Sequence, residues 1–195
     1  MIAAADSPSL ARPPAQAAEP SDAALVAAAR GGADWAREAL FRRHARLALG
    51  LAHRLLPNDS EVDDLVQDCF VSALQQLGTL KNPQAFAAWL GSIVVHAVGK
   101  RLRTRKLLFR LGLRAPEAID PDALASPAAP PEVVIELRWV YALLGRLPVE
   151  QRIALVLRRV DELEIPEIAA LMKLSVSTVK RRLNAAEERL ERSDR

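Results

Sequence analysis

Residues 174–190 read "LSVSTVKRRLNAAEERL", and the arrangement of side chains within them decides the fold. At about 100° of rotation per residue, Val176, Val179, Leu183, Ala186 and Leu190 gather on one side of a helix. Ser177, Thr178 and Arg181 point the opposite way, with Lys180, Arg182 and Asn184 on the flanks. Ser175 suits the N-cap, where a hydroxyl accepts from a backbone N–H that the helix leaves unpaired. Upstream, residues 166–172 form a short helix and Lys173-Leu174-Ser175 a tight connection, with Lys173 where such turns often carry glycine. A short helix, a three-residue turn and a second helix with a polar front match helix-turn-helix geometry. There the front of the second helix enters the major groove, arginine can hold guanine through two hydrogen bonds, and hydroxyls or lysine reach phosphates and base edges. On its own "KRR" reads equally as a solvated face; the short helix and the turn favour DNA.

Working outward, helical spacing dominates and strand-like alternation is nearly absent. The expected fold class is all-α, with two small helical domains joined by a flexible linker and the C-terminal one a helix-turn-helix. Residues 1–20, rich in alanine and proline, read as a disordered tail, and residues 21–110 as the first domain. In that domain Leu40, His44, Leu47, Leu51 and Leu55 keep one face inward, and Pro57-Asn58 ends their helix. Ser60 is expected to cap the next helix, with Glu61, Asp63 and Asp64 at its positive end, running to about residue 77 before Gly78. Asn82 should cap a longer helix with Pro83 in its first turn and Phe86, Leu90, Ile93, Ala97 and Leu102 facing inward. Residues 111–131, "LGLRAPEAIDPDALASPAAPP", lose periodicity and read as the linker. Residues 132–195 form the second domain, with helices to about 145, over 149–160, over 166–172, and the final one.

The bulk composition bounds the chemistry. The chain has 195 residues, half of them apolar, so a packed core is feasible; a net charge of +3 permits nucleic-acid binding without arguing for it. With Cys69 alone no intrachain disulfide can form, and its place on an apolar helix face reads as a buried thiol. His44, His53 and His96 are scattered, and there is no His-Glu-x-x-His, glycine-rich phosphate loop or nucleophile elbow. No catalytic residue, cofactor or metal is therefore expected, and the chain reads as a non-enzyme. No apolar run is long enough to span a membrane, and the opening "MIAAADSPSLARPPAQAAEPSD" is a poor signal peptide, so a cytoplasmic protein is the expectation.

Two further constellations stand out. In "EVDDLVQDCFVSAL", Val62, Leu65, Val66, Cys69, Phe70, Ala73 and Leu77 face inward, while Asp64, Gln67, Asp68, Val71 and Gln75 face out. Carboxylates repel phosphates, so this face should meet a protein, with Val71 as an apolar contact inside a polar rim. Further on, "GKRLRTRKLLFRLGLR" carries Lys100, Arg101, Arg103, Arg105, Lys106, Arg110 and Arg114 and no acid. Helix capping needs fewer cations than that, and phosphate binding by counterion release is the better use. Trp89 falls on the inner side of its helix and reads as core.

These residues together resemble a known family. "DDLVQDCFVSAL", then "FAAWLGSIV" running into cations, then "LLGRLPVEQRIALVLRRVDELEIPEIAALMKLSVSTVKRRLNAAEERL" look like the bacterial extracytoplasmic-function sigma factors, the small alternative sigma subunits of RNA polymerase. The resemblance covers almost everything after residue 20. It implies that the first domain binds the clamp of the largest subunit of core polymerase through Asp64, Gln67, Asp68 and Val71. It implies that Leu80, Lys81 and Asn82, with Lys100, Arg101, Arg103 and Arg105 beyond, meet and open the minus-ten element of promoter DNA. It places minus-thirty-five recognition on Ser177, Thr178, Lys180, Arg181 and Arg182, and allows for an anti-sigma partner. The chain departs from the family where "ARN" and a later aspartate are usual: Val94-Val95-His96 and Lys100 stand there. A stand-alone helix-turn-helix regulator, or a sigma-like adaptor without promoter opening, remain the alternatives on the residues alone.

Overall fold

The computed structural model describes residues 19–57, 60–113 and 130–193. The described residues form eight α-helices: α1 (Asp22–Arg30), α2 (Asp34–Leu55), α3 (Val62–Gln75), α4 (Phe86–Arg110), α5 (Pro131–Arg146), α6 (Val149–Arg159), α7 (Ile165–Met172) and α8 (Val176–Ser193). The tail over residues 1–18, most of the linker, and Arg114 lie outside the described residues.

Why the first four helices form a unit follows from their apolar stripes. Leu25, Val26, Leu40, Leu51, Leu55, Val66, Phe70, Phe86, Leu90 and Val94 meet in one core. Phe86 is fully buried, its ring 5.1 Å from that of His44 and 6.0 Å from that of Trp89, so Trp89 belongs to the packing. Gly32 turns the chain between α1 and α2 at φ +92°, a left-handed conformation that a side chain would strain. Asp22 then fastens the pair, accepting from Arg43 at 2.8 Å, with its other oxygen 3.0 Å from His44 Nε2. Burial alone would raise this carboxyl, but the hydrogen bonds and charges of Arg43 and His44 outweigh it and hold the pKa below the ordinary value. A depressed folded pKa contributes stability that is present above the unfolded value and lost as pH falls through the folded one. The stability gap between the parent and Asp22→Asn should therefore shrink as pH falls below about 4. Urea titrations at several pH values check this; a gap that widens on acidification contradicts it.

Boundaries follow local chemistry, with differences from the sequence expectation. Ser60 does not cap α3: Glu61 occupies the N-cap position and makes no side-chain cap bond. The helix stops at Gln75, and a single 3-10 turn, Leu77–Thr79, completes it. Asn82 caps not the long helix but the 3-10 turn Pro83–Ala85 before it, accepting from the Gln84 N–H at 3.2 Å, while α4 itself starts after Ala85 with no side-chain cap. In the second unit α7 opens with a reciprocal cap between Glu164 and Glu167, the Glu164 N–H donating to Glu167 at 2.7 Å. Lys173 takes the left-handed conformation at φ 52° that glycine would take freely, and Leu174 N–H returns to the Ala169 carbonyl at 2.9 Å. The sharp turn is thus made without glycine, at a cost of about 1–2 kcal/mol.

The two units are packed on each other, which the linker reading did not anticipate. One face of α4 lies on α2 and α3 and another on α6 and α7. Gly91 permits the closest approach, since a Cβ there would come within 3.0 Å of Leu171 Cδ2. Arg54 pairs with Asp161, Arg152 donates to the Leu55 carbonyl at 2.9 Å, and Arg103 pairs with Glu150 at 3.2 Å.

Candidate protein and nucleic-acid interfaces

On α8 the cap predicted at Ser175 forms: its Oγ accepts from the Thr178 N–H at 3.2 Å and lies 2.8 Å from Thr178 Oγ1. Val179, Leu183 and Ala186 are buried against α6 and α7, which fixes the helix by its apolar side. Ser177, Lys180 and Arg181 are consequently exposed, with Thr178 and Arg182 half-buried beside them. Val176 differs from expectation. It is 42 % exposed although it lies on the apolar side of the wheel.

The outer face of α3 is as its wheel requires: Asp64, Gln67, Asp68, Val71 and Gln75 are exposed, and Val62, Leu65, Val66, Cys69, Phe70 and Ala73 are buried. Burial first, and the Asp68 charge second, push the Cys69 thiol up to about 11, so it carries almost no thiolate at neutral pH. Leu47 on α2 is not part of the inward stripe as expected but 52 % exposed. Phe41, an aromatic that sequence reasoning missed, packs edge-on against Phe70 at 4.8 Å while remaining exposed at the α2–α3 junction. Its signal was there, in a phenylalanine off the Leu40–His44–Leu51 stripe.

The acidic and basic stretches are closer than their separation in sequence suggests. Glu61 before α3 and Asp64 and Asp68 on it face Lys100, Arg101 and Arg105 of α4 across a groove of about 660 Å³. Arg101 pairs with Glu61 across it. Cations on the far rim therefore partly offset the field of the carboxylates, and the division of surface charge is less clean than the one-dimensional reading implies. Lys100 is exposed, whereas Arg103 is held by Glu150 of α6. Val94 and Val95 are buried, so the residues standing where the family has "AR" serve the core; His96 is exposed, with Nδ1 2.6 Å from the Ser92 carbonyl.

In the loop before α4, Lys81 and Asn82 are exposed. Leu80 departs from the expectation of a DNA-contacting side chain: it is 6 % exposed and packs in the core, which leaves its backbone to shape the loop. The second unit also holds an apolar groove of about 360 Å³ lined by Trp139, Val140, Leu143, Leu155 and Val160, with Trp139 half exposed. Among the described residues no group of His, Cys, Asp or Glu is placed to hold a metal ion, and no helix is long and apolar enough to cross a membrane.

Residues 40–107 match sigma-70 region 2, and residues 137–190 match sigma-70 region 4. The chain is 36 % identical to the ECF RNA polymerase sigma factor SigM of Mycobacterium tuberculosis, over 89 % of this chain and 85 % of that one. It is 30 % identical to the ECF RNA polymerase sigma-E factor of Escherichia coli, over 88 % of this chain and 93 % of that one. Among solved structures it is similar to CnrH in complex with the cytosolic domain of CnrY, with a TM-score of 0.58 and 29 % identity over 87 % of this chain and 94 % of that one. The fold also matches RpoE of Bartonella quintana, solved with the anti-sigma factor NepR, with a TM-score of 0.59 and 22 % identity over 80 % of this chain and 94 % of that one.

Proposed function

We propose how this chain works from one premise: it belongs to the extracytoplasmic-function sigma factors of bacterial RNA polymerase. It is an alternative sigma factor, which binds core RNA polymerase and directs promoter-specific transcription initiation. In our reading residues 21–110 take the polymerase clamp and the minus-ten element, residues 132–195 take the minus-thirty-five element, and residues 111–131 join them. The chain does no chemistry of its own and works in the cytoplasm, where core polymerase is. An anti-sigma protein, as NepR is for RpoE, is a fitting further partner.

The observation that carries this reading is the pair of outward faces on rigidly packed helices. Asp64, Gln67, Asp68 and Val71 stand out from α3, whose opposite side is locked in the core. Ser177, Lys180 and Arg181 stand out from α8, with Thr178 and Arg182 at their edges. Lys81, Asn82, Lys100 and Arg103 supply the exposed part of the minus-ten set. Arg101 and Arg105 complete it, and Arg103 is exposed while paired with Glu150 at 3.2 Å.

Run-off transcription with purified core polymerase tests the reading. Transcripts that need both proteins and a particular promoter support it; DNA binding that is equally tight without polymerase would point to a stand-alone regulator. Within that assay Arg181→Ala should lower initiation about 10- to 100-fold and relax preference at one base pair of the minus-thirty-five element, as loss of a bidentate base contact does. Unchanged initiation with unchanged preference removes Arg181 from the reading set.

A further inference from the structure

Arg30 is the last residue of α1, and neither the helix stripe nor the polar faces described above use it. Its guanidinium reaches across 47 residues of sequence to the loop between α3 and α4. Nε and Nη2 donate to the Leu77 carbonyl at 3.1 and 2.9 Å, and Nη2 also donates to the Leu80 carbonyl. Leu77 opens the 3-10 turn that follows α3, its carbonyl also accepting from the Leu80 N–H at 3.2 Å, and Leu80 stands at the end of that turn. A planar fork of fixed geometry bridges two acceptors and sets the distance between them, which a flexible ammonium does not do.

We infer that Arg30 is a positioning residue for promoter opening: it fixes the backbone of the loop that presents Lys81 and Asn82 to the minus-ten element. The inference rests on the proposed role of that loop. Three features of the loop agree. Leu80 is anchored in the core by its side chain and by Arg30 through its carbonyl, immediately before Lys81. Asn82 is held from the other side by its cap to Gln84. Lys81 and Asn82 are thus the exposed residues of a segment pinned at both ends, and Thr79 adds a hydroxyl bond to the Gln76 carbonyl at 2.8 Å. Extruding a base from a duplex costs a few kcal/mol, and a receiving loop whose shape is already set spends none of its binding energy on ordering itself.

The test uses holoenzyme and a promoter selected by the parent holoenzyme from randomised DNA. Permanganate reactivity of minus-ten thymines reads opening, competition for core polymerase reads assembly, and a panel of minus-ten substitutions reads discrimination. For Arg30→Ala the expected result is opening reduced about ten-fold and discrimination narrowed, with core affinity within about two-fold of the parent. The Lys81→Ala, Asn82→Ala double variant runs in parallel. If it is defective and Arg30→Ala opens and discriminates like the parent, the inference is overturned while the loop keeps its role. If the double variant itself is normal, the loop reading fails and the inference falls with it. Should Arg30→Ala not fold, Arg30→Lys keeps a cation at the helix end without the fork. Impaired opening by that variant supports the inference, and parental opening and discrimination overturn it.

Discussion

Replacing Asp64 and Asp68 together with lysine should lower the affinity for core polymerase about 100-fold or more, and transcription from every promoter should fall with it. Both carboxylates are exposed on α3, one turn apart, on the face whose opposite side is fixed in the core. Truncating one member of a desolvated, hydrogen-bonded charge pair across an interface costs about 2–5 kcal/mol, and reversal adds repulsion, so a loss of about 3 kcal/mol is a conservative expectation for two positions. The groove complicates the experiment in an instructive way. Lys100, Arg101 and Arg105 face these carboxylates, so two new lysines would also crowd cations within the chain itself. Val71→Asp is the companion variant, because Val71 is 49 % exposed and does not line that groove. Surface-immobilised core polymerase reads both affinities, with circular dichroism confirming that the helices persist. If Asp64→Lys, Asp68→Lys and Val71→Asp each leave affinity unchanged in folded protein, the α3 face is not the docking surface.

The parts of this fold that could be read from sequence are those governed by local periodicity. The buried residues of α3 and α8 obey the rotation of a single helix about its own axis, and a wheel finds them without knowing what lies opposite. Leu47 and Val176 lie on such wheels too, yet both are exposed. A wheel says which residues share a side and not how far along the helix a neighbour extends to cover it. Capping shows the same boundary. Asn82 caps because the chain reaches it in an extended conformation with the acceptor over the first N–H groups, and Ser175 Oγ takes the Thr178 N–H in the same way. Ser60 has the right side chain in a position where the helix starts after Glu61 instead. The candidate site divides likewise. The outward residues of α3 and α8 were legible because each set sits on one helix. Arg30 reaching Leu77, Glu61 meeting Arg101 and Glu150 holding Arg103 join residues from different helices, and no spacing rule connects them.

The seam between the two units is the largest feature of that second kind, and its consequence is testable. By their names the two promoter elements lie roughly 25 base pairs apart, which at about 3.4 Å per pair is roughly 85 Å of duplex. Here the units touch: Gly91 of α4 receives Leu171 of α7, and Arg54 at the end of α2 pairs with Asp161 just beyond α6. Even α4, 25 residues long, spans only about 38 Å at 1.5 Å per residue. A chain reading both elements at once must therefore part along this seam, and Glu150 must release Arg103 as it does. Besides its ion pairs and carbonyl contact the seam carries apolar packing, Gly91 against Leu171 and Gly99 against Ile153, so parting it exposes apolar surface that core polymerase or DNA has to offset. Arg54→Cys with Asp161→Cys, joined by a reductant-cleavable bismaleimide, should hold the units together. Cys69 should stay out of the reaction, being buried with its thiol pushed up to about 11. The joined protein is expected to lose at least nine-tenths of its promoter-specific run-off transcript, and reductant should restore it to the level of the unjoined double variant. Core affinity measured alongside tells whether the closed form is refused at assembly or at the promoter. A joined protein that transcribes as well before reductant as after it would show that initiation proceeds with the seam closed, and the assignment of the two units to two distant elements would have to be given up.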